Sequence, residues 1–150
     1  MRIIEKTKLI GMTRAIETWS LLDTGADISF IPIRILQAIG AHDLNRVISI
    51  KDSHGYVRRH FIYKIGLYFP TLNNQGNYFD VAGCDSNGCL IGHDVMGALR
   101  IEPHPETGKA SASNNVEQFI LGGLVLVGGG YITSKLPNIY DWILKTLTKA

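Results

Sequence analysis

The segment most able to do chemistry is residues 21–27, which read Leu-Leu-Asp-Thr-Gly-Ala-Asp. Two bulky apolar residues are typical of a buried strand, and the acidic side chain of Asp23 then stands where another apolar residue is expected. A carboxylate beside a core is rarely tolerated unless it is paired or hydrogen-bonded. Gly25 lets the backbone approach closely, so its N–H can reach that carboxylate. Taken alone, Asp-Thr-Gly fits a simple turn between strands better than a reactive loop, since Asp and Gly are turn formers.

A second segment, residues 89–94, reads Cys-Leu-Ile-Gly-His-Asp. Its apolar residues predict a short buried strand, and the glycine that follows opens a brief helix that continues through Leu99. Between the two segments lies a long stretch of alternating and β-branched residues, which leaves room for at least one hairpin.

Other residue types that could do chemistry are less well arranged. Cys84, Cys89 and His93 are of metal-ligand type, but their spacing is not that of a zinc site and a fourth ligand is missing. Two cysteines also do not make a disulfide framework. None of the serines, Ser29 among them, lies in the Gly-x-Ser-x-Gly pattern that places a catalytic serine on a sharp turn. The sequence therefore does not indicate a serine hydrolase. We therefore predict no metal site and no cofactor.

The elements that must position these residues are mostly short strands. A helix is predicted over residues 33–39, because Pro32 precedes it and Gly40 follows it. Residues 47–50 and 56–61 flank the turn cluster 51–55, and a second hairpin joins 62–69 to 78–82. The remaining strands are predicted at residues 8–10, 18–22, 100–102 and 108–110.

With both segments in order and a hairpin between them, the chain resembles the retropepsin-like aspartic proteases over about residues 9–112. In that family a strand of two apolar residues and a glycine crosses behind the catalytic loop, and a helix follows it. The resemblance implies a mainly β, closed acid-protease fold with one or two short helices. Here a C-terminal amphipathic helix is added to that fold.

The resemblance also implies a role for each matching residue. Asp23 would be the catalytic carboxylate, and the hydroxyl of Thr24 would bridge the two halves of the site. Gly25 would support the carboxylate through its N–H and accept substrate through its carbonyl. Ala26 and Asp27 would line the substrate cleft.

A flap over the cleft is the second part of the implied site. Residues 51–57 would form this flap, with Ser53, His54 and Gly55 contacting substrate, and Ile91 would complete the substrate-binding set. The Asp-Ser-His-Gly tip is more polar than the glycine-rich flaps of viral members, so their substrate preference does not transfer. Many viral members have Arg where His93 stands; His93 either pairs with Asp27 in the same way or is an ordinary surface histidine.

The chain contains one Asp-Thr-Gly, whereas peptide hydrolysis in this class needs two carboxylates that share a proton. An active form is therefore expected to be a symmetric homodimer with one Asp23 from each copy. The predicted function is an aspartic endopeptidase that uses activated water on an extended polypeptide. The alternative is a non-catalytic retropepsin-like dimerisation or peptide-binding module, which would have no need to keep the acid.

Length and composition set outer limits on these interpretations. A chain of 150 residues with 45% hydrophobic and 19% charged residues is typical of one globular domain, not of a disordered tail. Its 15 basic and 13 acidic residues are too evenly balanced for a nucleic-acid binder that relies on a basic face. The first residues lack the apolar core of a signal peptide, so a cytoplasmic or intravirion location is expected.

The sequence divides into a protease-like domain at residues 1–117 and a C-terminal segment at 118–150. Residues 118–134 are uncharged but contain five glycines, which favours buried glycine-kinked strands over a membrane span. Residues 138–149 place apolar side chains, Trp142 among them, at helical spacing. We expect this amphipathic helix to pack on the same domain.

Overall fold

A computed structural model of the chain describes residues 2–72 and 76–113. This part of the chain forms nine strands and two short helices. The strands are β1 (Ile3–Ile10), β2 (Ala15–Leu22), β3 (Phe30–Pro32), β4 (His42–Lys51), β5 (Val57–Tyr68), β6 (Gly76–Cys84), β7 (Cys89–Ile91), β8 (Ile101–His104) and β9 (Lys109–Ala112). The helices are α1 (Ile33–Ile39) and α2 (His93–Leu99).

Seven strands form one mixed sheet in the order β1-β2-β7-β3-β6-β5-β4. The end of β1 also pairs with β5, from Lys8↔Tyr68 to Ile10↔Gly66, so the sheet closes on itself like a small barrel. Strand β2 runs parallel to β7 and β3 runs parallel to β6, while the other neighbours are antiparallel. Strands β8 and β9 form a separate hairpin. The mainly β fold class predicted from the sequence is confirmed.

The core lies on the inner face of this closed sheet, because side chains alternate along each strand. In β2, Leu22 is buried in the core, whereas Trp19 is 62% exposed. The fully buried core side chains come from distant parts of the chain and include Leu9, Ile31, Ile65, Val81 and Ile91. Only the closure of the sheet brings them together.

Most of the predicted elements are present with longer boundaries. Helix α1 follows Pro32 and ends at Gly40, as the Pro and Gly signals predicted. Residues 56–61 and 62–69 were predicted as two strands, and that prediction is wrong because β5 is one continuous strand. No turn-forming pair interrupts the chain there. The first part of β5 pairs with β4 and its last part pairs with β6.

Helix α2 packs beneath the sheet and places its buried side chains, Val95, Met96 and Leu99, in the core. Within residues 2–72 and 76–113, no helix is long and apolar enough to cross a bilayer. The predictions for residues 118–134 and for the helix over 138–149 lie outside the described residues, as does the boundary at residue 117.

Candidate active site

The Asp-Thr-Gly segment begins directly where β2 ends. The last residues of β2, Ser20 to Leu22, pair in parallel with β7. The Asp23 N–H continues this ladder by donating to the Ile91 carbonyl at 2.9 Å. Asp23 is therefore held at the end of a central strand, on a backbone that both neighbouring strands restrain.

The turn after Asp23 orients its carboxylate. The Gly25 N–H donates to Asp23 Oδ1 at 2.8 Å, and the Ala26 N–H donates to the Asp23 carbonyl at 3.2 Å. The second carboxylate oxygen, Oδ2, accepts no hydrogen bond from the described residues. Asp23 is half-buried, while Thr24 and Asp27 are exposed. The arrangement leaves one oxygen fixed and the other open to a bound molecule or to water.

A buried hydroxyl clamps this loop to the start of α2. Ser29 donates from its Oγ to Asp94 Oδ1 at 2.7 Å and from its N–H to Asp94 Oδ2 at 3.0 Å. The Gly92 N–H in turn donates to Ser29 Oγ at 2.9 Å. Ser29 and Gly92 are buried, so the Ser29 hydroxyl and the Gly92 N–H lack water as an alternative partner, while Asp94 is half-buried. The Asp23 loop and the strand–helix junction therefore behave as one unit.

Close backbone contacts also join the Asp23 loop to the start of α2. The His93 N–H donates to the Ala26 carbonyl at 2.8 Å. A Cβ on Gly92 would lie 2.6 Å from the Ala26 carbonyl oxygen and 2.9 Å from that of Ile28. Only glycine allows α2 to begin this close to the loop.

Both segments are evident in the sequence, but we did not predict Ser29 as their connection. Two features of the sequence are consistent with this connection. Ser29 follows the Asp-Thr-Gly segment closely, and Asp94 stands two residues after Gly92. Sequence spacing alone, however, does not reveal a hydrogen bond between residues 65 positions apart.

Ile91 does not have the role that the sequence analysis gave it. It is fully buried in the core and pairs with Leu22, so its side chain cannot line a substrate cleft. The half-buried neighbour Leu90 pairs with Leu21 on the opposite face of the sheet. Because faces alternate along a strand, this is also the face of Asp23. Leu90, not Ile91, therefore borders the Asp23 side.

The predicted flap is a hairpin formed by β4 and β5, with Ser53, His54 and Gly55 at its tip. Asp52 holds the tip together, because its Oδ1 accepts the N–H groups of His54 and Tyr56, both at 2.9 Å. Residues 51–59 are all exposed, so the hairpin projects away from the core. None of the hydrogen bonds of the described residues joins this tip to the Asp23 loop.

The remaining candidate residues are His93 and the two cysteines. His93 is exposed and, in the part of the chain that is described, makes no ion pair with Asp27. Cys89 is buried, and burial raises the pKa of its thiol to about 11, while Cys84 is half-exposed and both are free thiols. No group of three or more His, Cys, Asp or Glu side chains within residues 2–72 and 76–113 could hold a metal ion.

Comparison with known proteins finds likeness among solved structures but not among sequences. No protein-family model matches the sequence, and no curated protein matches it. The fold is similar to the solution structure of Simian Foamy Virus (mac) protease, with 15% sequence identity and a TM-score of 0.47. That likeness covers 69% of this chain and 100% of the viral one. The closed, mainly β sheet of this chain, with two short helices in the described residues, agrees with the fold class expected from the sequence.

Proposed function

We propose that this chain belongs to the retropepsin-like aspartic proteases and hydrolyses peptide bonds as a homodimer. The two Asp23 carboxylates, one from each copy, activate a water molecule that attacks the scissile carbonyl. One carboxylate accepts the proton of the water and the other holds the proton that the substrate carbonyl receives. No covalent intermediate forms.

The observation that carries this proposal is the environment of Asp23. Its carboxylate lies at the end of a central strand with one oxygen fixed by the Gly25 N–H and the other open. The buried bonds between Ser29, Gly92 and Asp94 hold the loop from beneath. A turn without a function would not require these hydrogen bonds, because exposed Asp and Gly residues form turns without them.

A second carboxylate has to come from another copy of the chain. Asp27, the nearest acidic residue in sequence, is exposed and is not hydrogen-bonded to Asp23. The exposed Thr24 and half-buried Asp23 lie at a surface where a two-fold axis would bring both motifs together. Such an interface is isologous, so each copy supplies the same residues to one shared site.

The projecting hairpin supports a polypeptide as the substrate. Its exposed residues 51–59 offer backbone groups and side chains to a chain lying between the hairpin and the Asp23 loop. Extended peptides commonly bind by adding to strands in this way, and pockets for alternate side chains provide specificity. Ala26, Asp27, Ser53, His54 and Gly55 are the proposed contacts.

Digestion of a mixed peptide library by the full-length protein tests the activity. We expect cleavage by the wild type and a loss of more than about a hundredfold in Asp23→Asn, which keeps the shape of the loop but removes the acid. Glu102→Gln, an exposed change on β8, serves as the matched control and should cleave normally. A wild type that binds peptides but cleaves none would support the non-catalytic binding module instead.

A tandem of two copies joined by a flexible linker tests the shared site. Asp23→Asn in one copy alone should abolish turnover almost as fully as the change in both, because neither carboxylate works without the other. The doubly substituted tandem should still associate through the same interface. Retention of about half the activity in the singly substituted tandem would mean that each copy holds a complete site, and the shared mechanism would be wrong.

A further inference from the structure

A cleft opens where the flap hairpin leaves the body of the sheet. Strand β5 pairs with β4 from Val57 onwards, but its pairing with β6 begins only at Ile62. Residues 57–61 therefore have one strand edge without a strand partner in the described part of the chain. Between this edge and the loop after β6 lies a cavity of about 340 Å³. We refer to this cavity as the edge cleft.

The lining of the edge cleft is cationic. Arg58, Arg59, His60 and Phe61 come from the free edge of β5, and Asp85 comes from the facing loop. Both arginines are exposed, and neither makes an ion pair within the described residues. Because side chains alternate along a strand, Arg58 shares the face of His60 and Arg59 lies on the opposite face. An arginine guanidinium can donate two parallel hydrogen bonds to a carboxylate. These donors have no ion-pair partner among the described residues, so a ligand carboxylate can bind them.

The walls of the edge cleft are held in place. On one side, His60 Nδ1 lies 2.9 Å from the Gly83 carbonyl oxygen, which fixes the ring against β6. On the other, Arg34 of α1 donates to the side-chain oxygen of Asn87 at 3.3 Å and to its carbonyl at 3.0 Å. These contacts tie the loop of residues 85–88 to the body of the fold, so the cleft is present before anything binds.

Two residues that line the edge cleft, His60 and Arg58, lie on the face of the sheet that carries Asp23. Leu90 lies on that face and pairs with Phe30, whose side chain therefore points the same way. The ring of Phe30 meets that of His60 edge to face, with their centres 5.2 Å apart. Asp23, Leu90, Phe30 and His60 therefore lie on one face of the sheet, and Arg58 lies two residues along the same strand face.

We infer that the edge cleft is a specificity subsite that takes an acidic side chain of the bound peptide. The peptide backbone pairs with the free edge of residues 57–61, and its Asp or Glu carboxylate binds the guanidinium group of Arg58, on the strand face that Arg58 shares with His60. The pairing edge favours a polypeptide as ligand, because a strand edge recognises the backbone N–H and C=O groups of another strand. This inference rests on the proposed function, since it names the substrate preference of the same site.

Capture of peptides tests the subsite without requiring cleavage. Asp23→Asn protein of full length is immobilised, exposed to a randomised library of extended peptides, and the retained peptides are sequenced by mass spectrometry. We expect enrichment of Asp and Glu, and about tenfold weaker binding when the acidic residue of a retained peptide is replaced by its amide. Adding Arg58→Gln should remove that difference, whereas adding Arg59→Gln, on the opposite face of β5, should leave it. Adding Arg58→Glu should shift the preference towards Lys and Arg.

The control is Arg14→Gln in the same Asp23→Asn protein, which removes one positive charge from an exposed residue between β1 and β2, as Arg58→Gln does from β5. It should retain the acidic preference. Peptide capture without acidic enrichment, enrichment that survives Arg58→Gln, or failure to capture any peptide would overturn the inference. Cleavage by the wild type is measured separately. Cleavage without an acidic preference overturns only the subsite, whereas acidic capture without wild-type cleavage overturns only the proteolytic function.

Discussion

Ser29 and Asp94 are joined by two hydrogen bonds, at 2.7 Å from the serine hydroxyl and at 3.0 Å from its N–H. The same hydroxyl accepts the Gly92 N–H, so its removal leaves a buried donor without a partner. We expect Ser29→Ala to lower the free energy of unfolding by about 1–3 kcal/mol. Urea denaturation measures it, and Ser49→Ala on the exposed part of β4 should change stability by less than about 0.5 kcal/mol. Equal midpoints for the two variants would show that the clamp contributes nothing.

The glycine that precedes α2 and the glycine inside it should respond oppositely to alanine. Gly92→Ala would force a Cβ against backbone oxygens that cannot move aside, so we expect a loss of about 1–3 kcal/mol. Gly97 lies inside the helix with nothing within 4 Å of its added Cβ, so Gly97→Ala should stabilise the protein by about 0.4–1 kcal/mol. Thermal melting of both variants provides the measurement. Destabilisation of similar size at both positions would contradict the close approach at Gly92.

Gly55 tests whether the hairpin acts as a lid in the proposed protease. Its φ of 88° is costly for a β-branched residue and less so for asparagine, while the space around it is open, with Lys51 Cε nearest at 3.8 Å. Gly55→Val should therefore lower turnover more than it lowers stability, and Gly55→Asn should retain most of the turnover. Both are measured on a cleaved peptide alongside urea denaturation. An unchanged turnover number in Gly55→Val would mean that the hairpin does not close over substrate.

Asp80 should contribute stability that is lost in acid. Burial by itself raises the pKa of Asp80, but the hydrogen bonds and charges of Lys64 and Arg46, at 2.9 and 2.8 Å, together outweigh it and lower the pKa below 3.8. A lowered pKa in the folded state gives stability that is present above the unfolded pKa and lost as the pH falls through the folded pKa. Because the pair is partly exposed, Asp80→Asn should cost only about 0.5–1 kcal/mol at pH 7.

Stability measured at pH 7 and again well below pH 3.8 checks this expectation. The gap between the wild type and Asp80→Asn should close in acid, because the wild-type carboxyl is then protonated and no longer attracts Arg46 and Lys64. Glu102→Gln, which removes an exposed acid with no ion pair among the described residues, should show no such pH-dependent gap. A gap for Asp80→Asn that stays constant with pH would contradict the ion-pair explanation.

The sequence by itself determined what is local. The Pro and Gly that delimit α1 act within a few residues of it, and the turn at residues 52–55 is set by Asp and Gly side chains acting on their own backbone. The mainly β class follows in the same way from alternation along each strand. The Asp-Thr-Gly segment was visible because an acid after two apolar residues breaks that alternation at one point.

The tertiary structure alone decided which distant residues meet. Ile91 and Leu90 are equally apolar in the sequence, and only the register of β7 against β2 sends Ile91 into the core and leaves Leu90 beside Asp23. The edge cleft depends in the same way on where β6 stops pairing with β5. Register and closure arise from the packing of the whole sheet, because a shift of one residue would exchange the two faces of a strand without changing its composition.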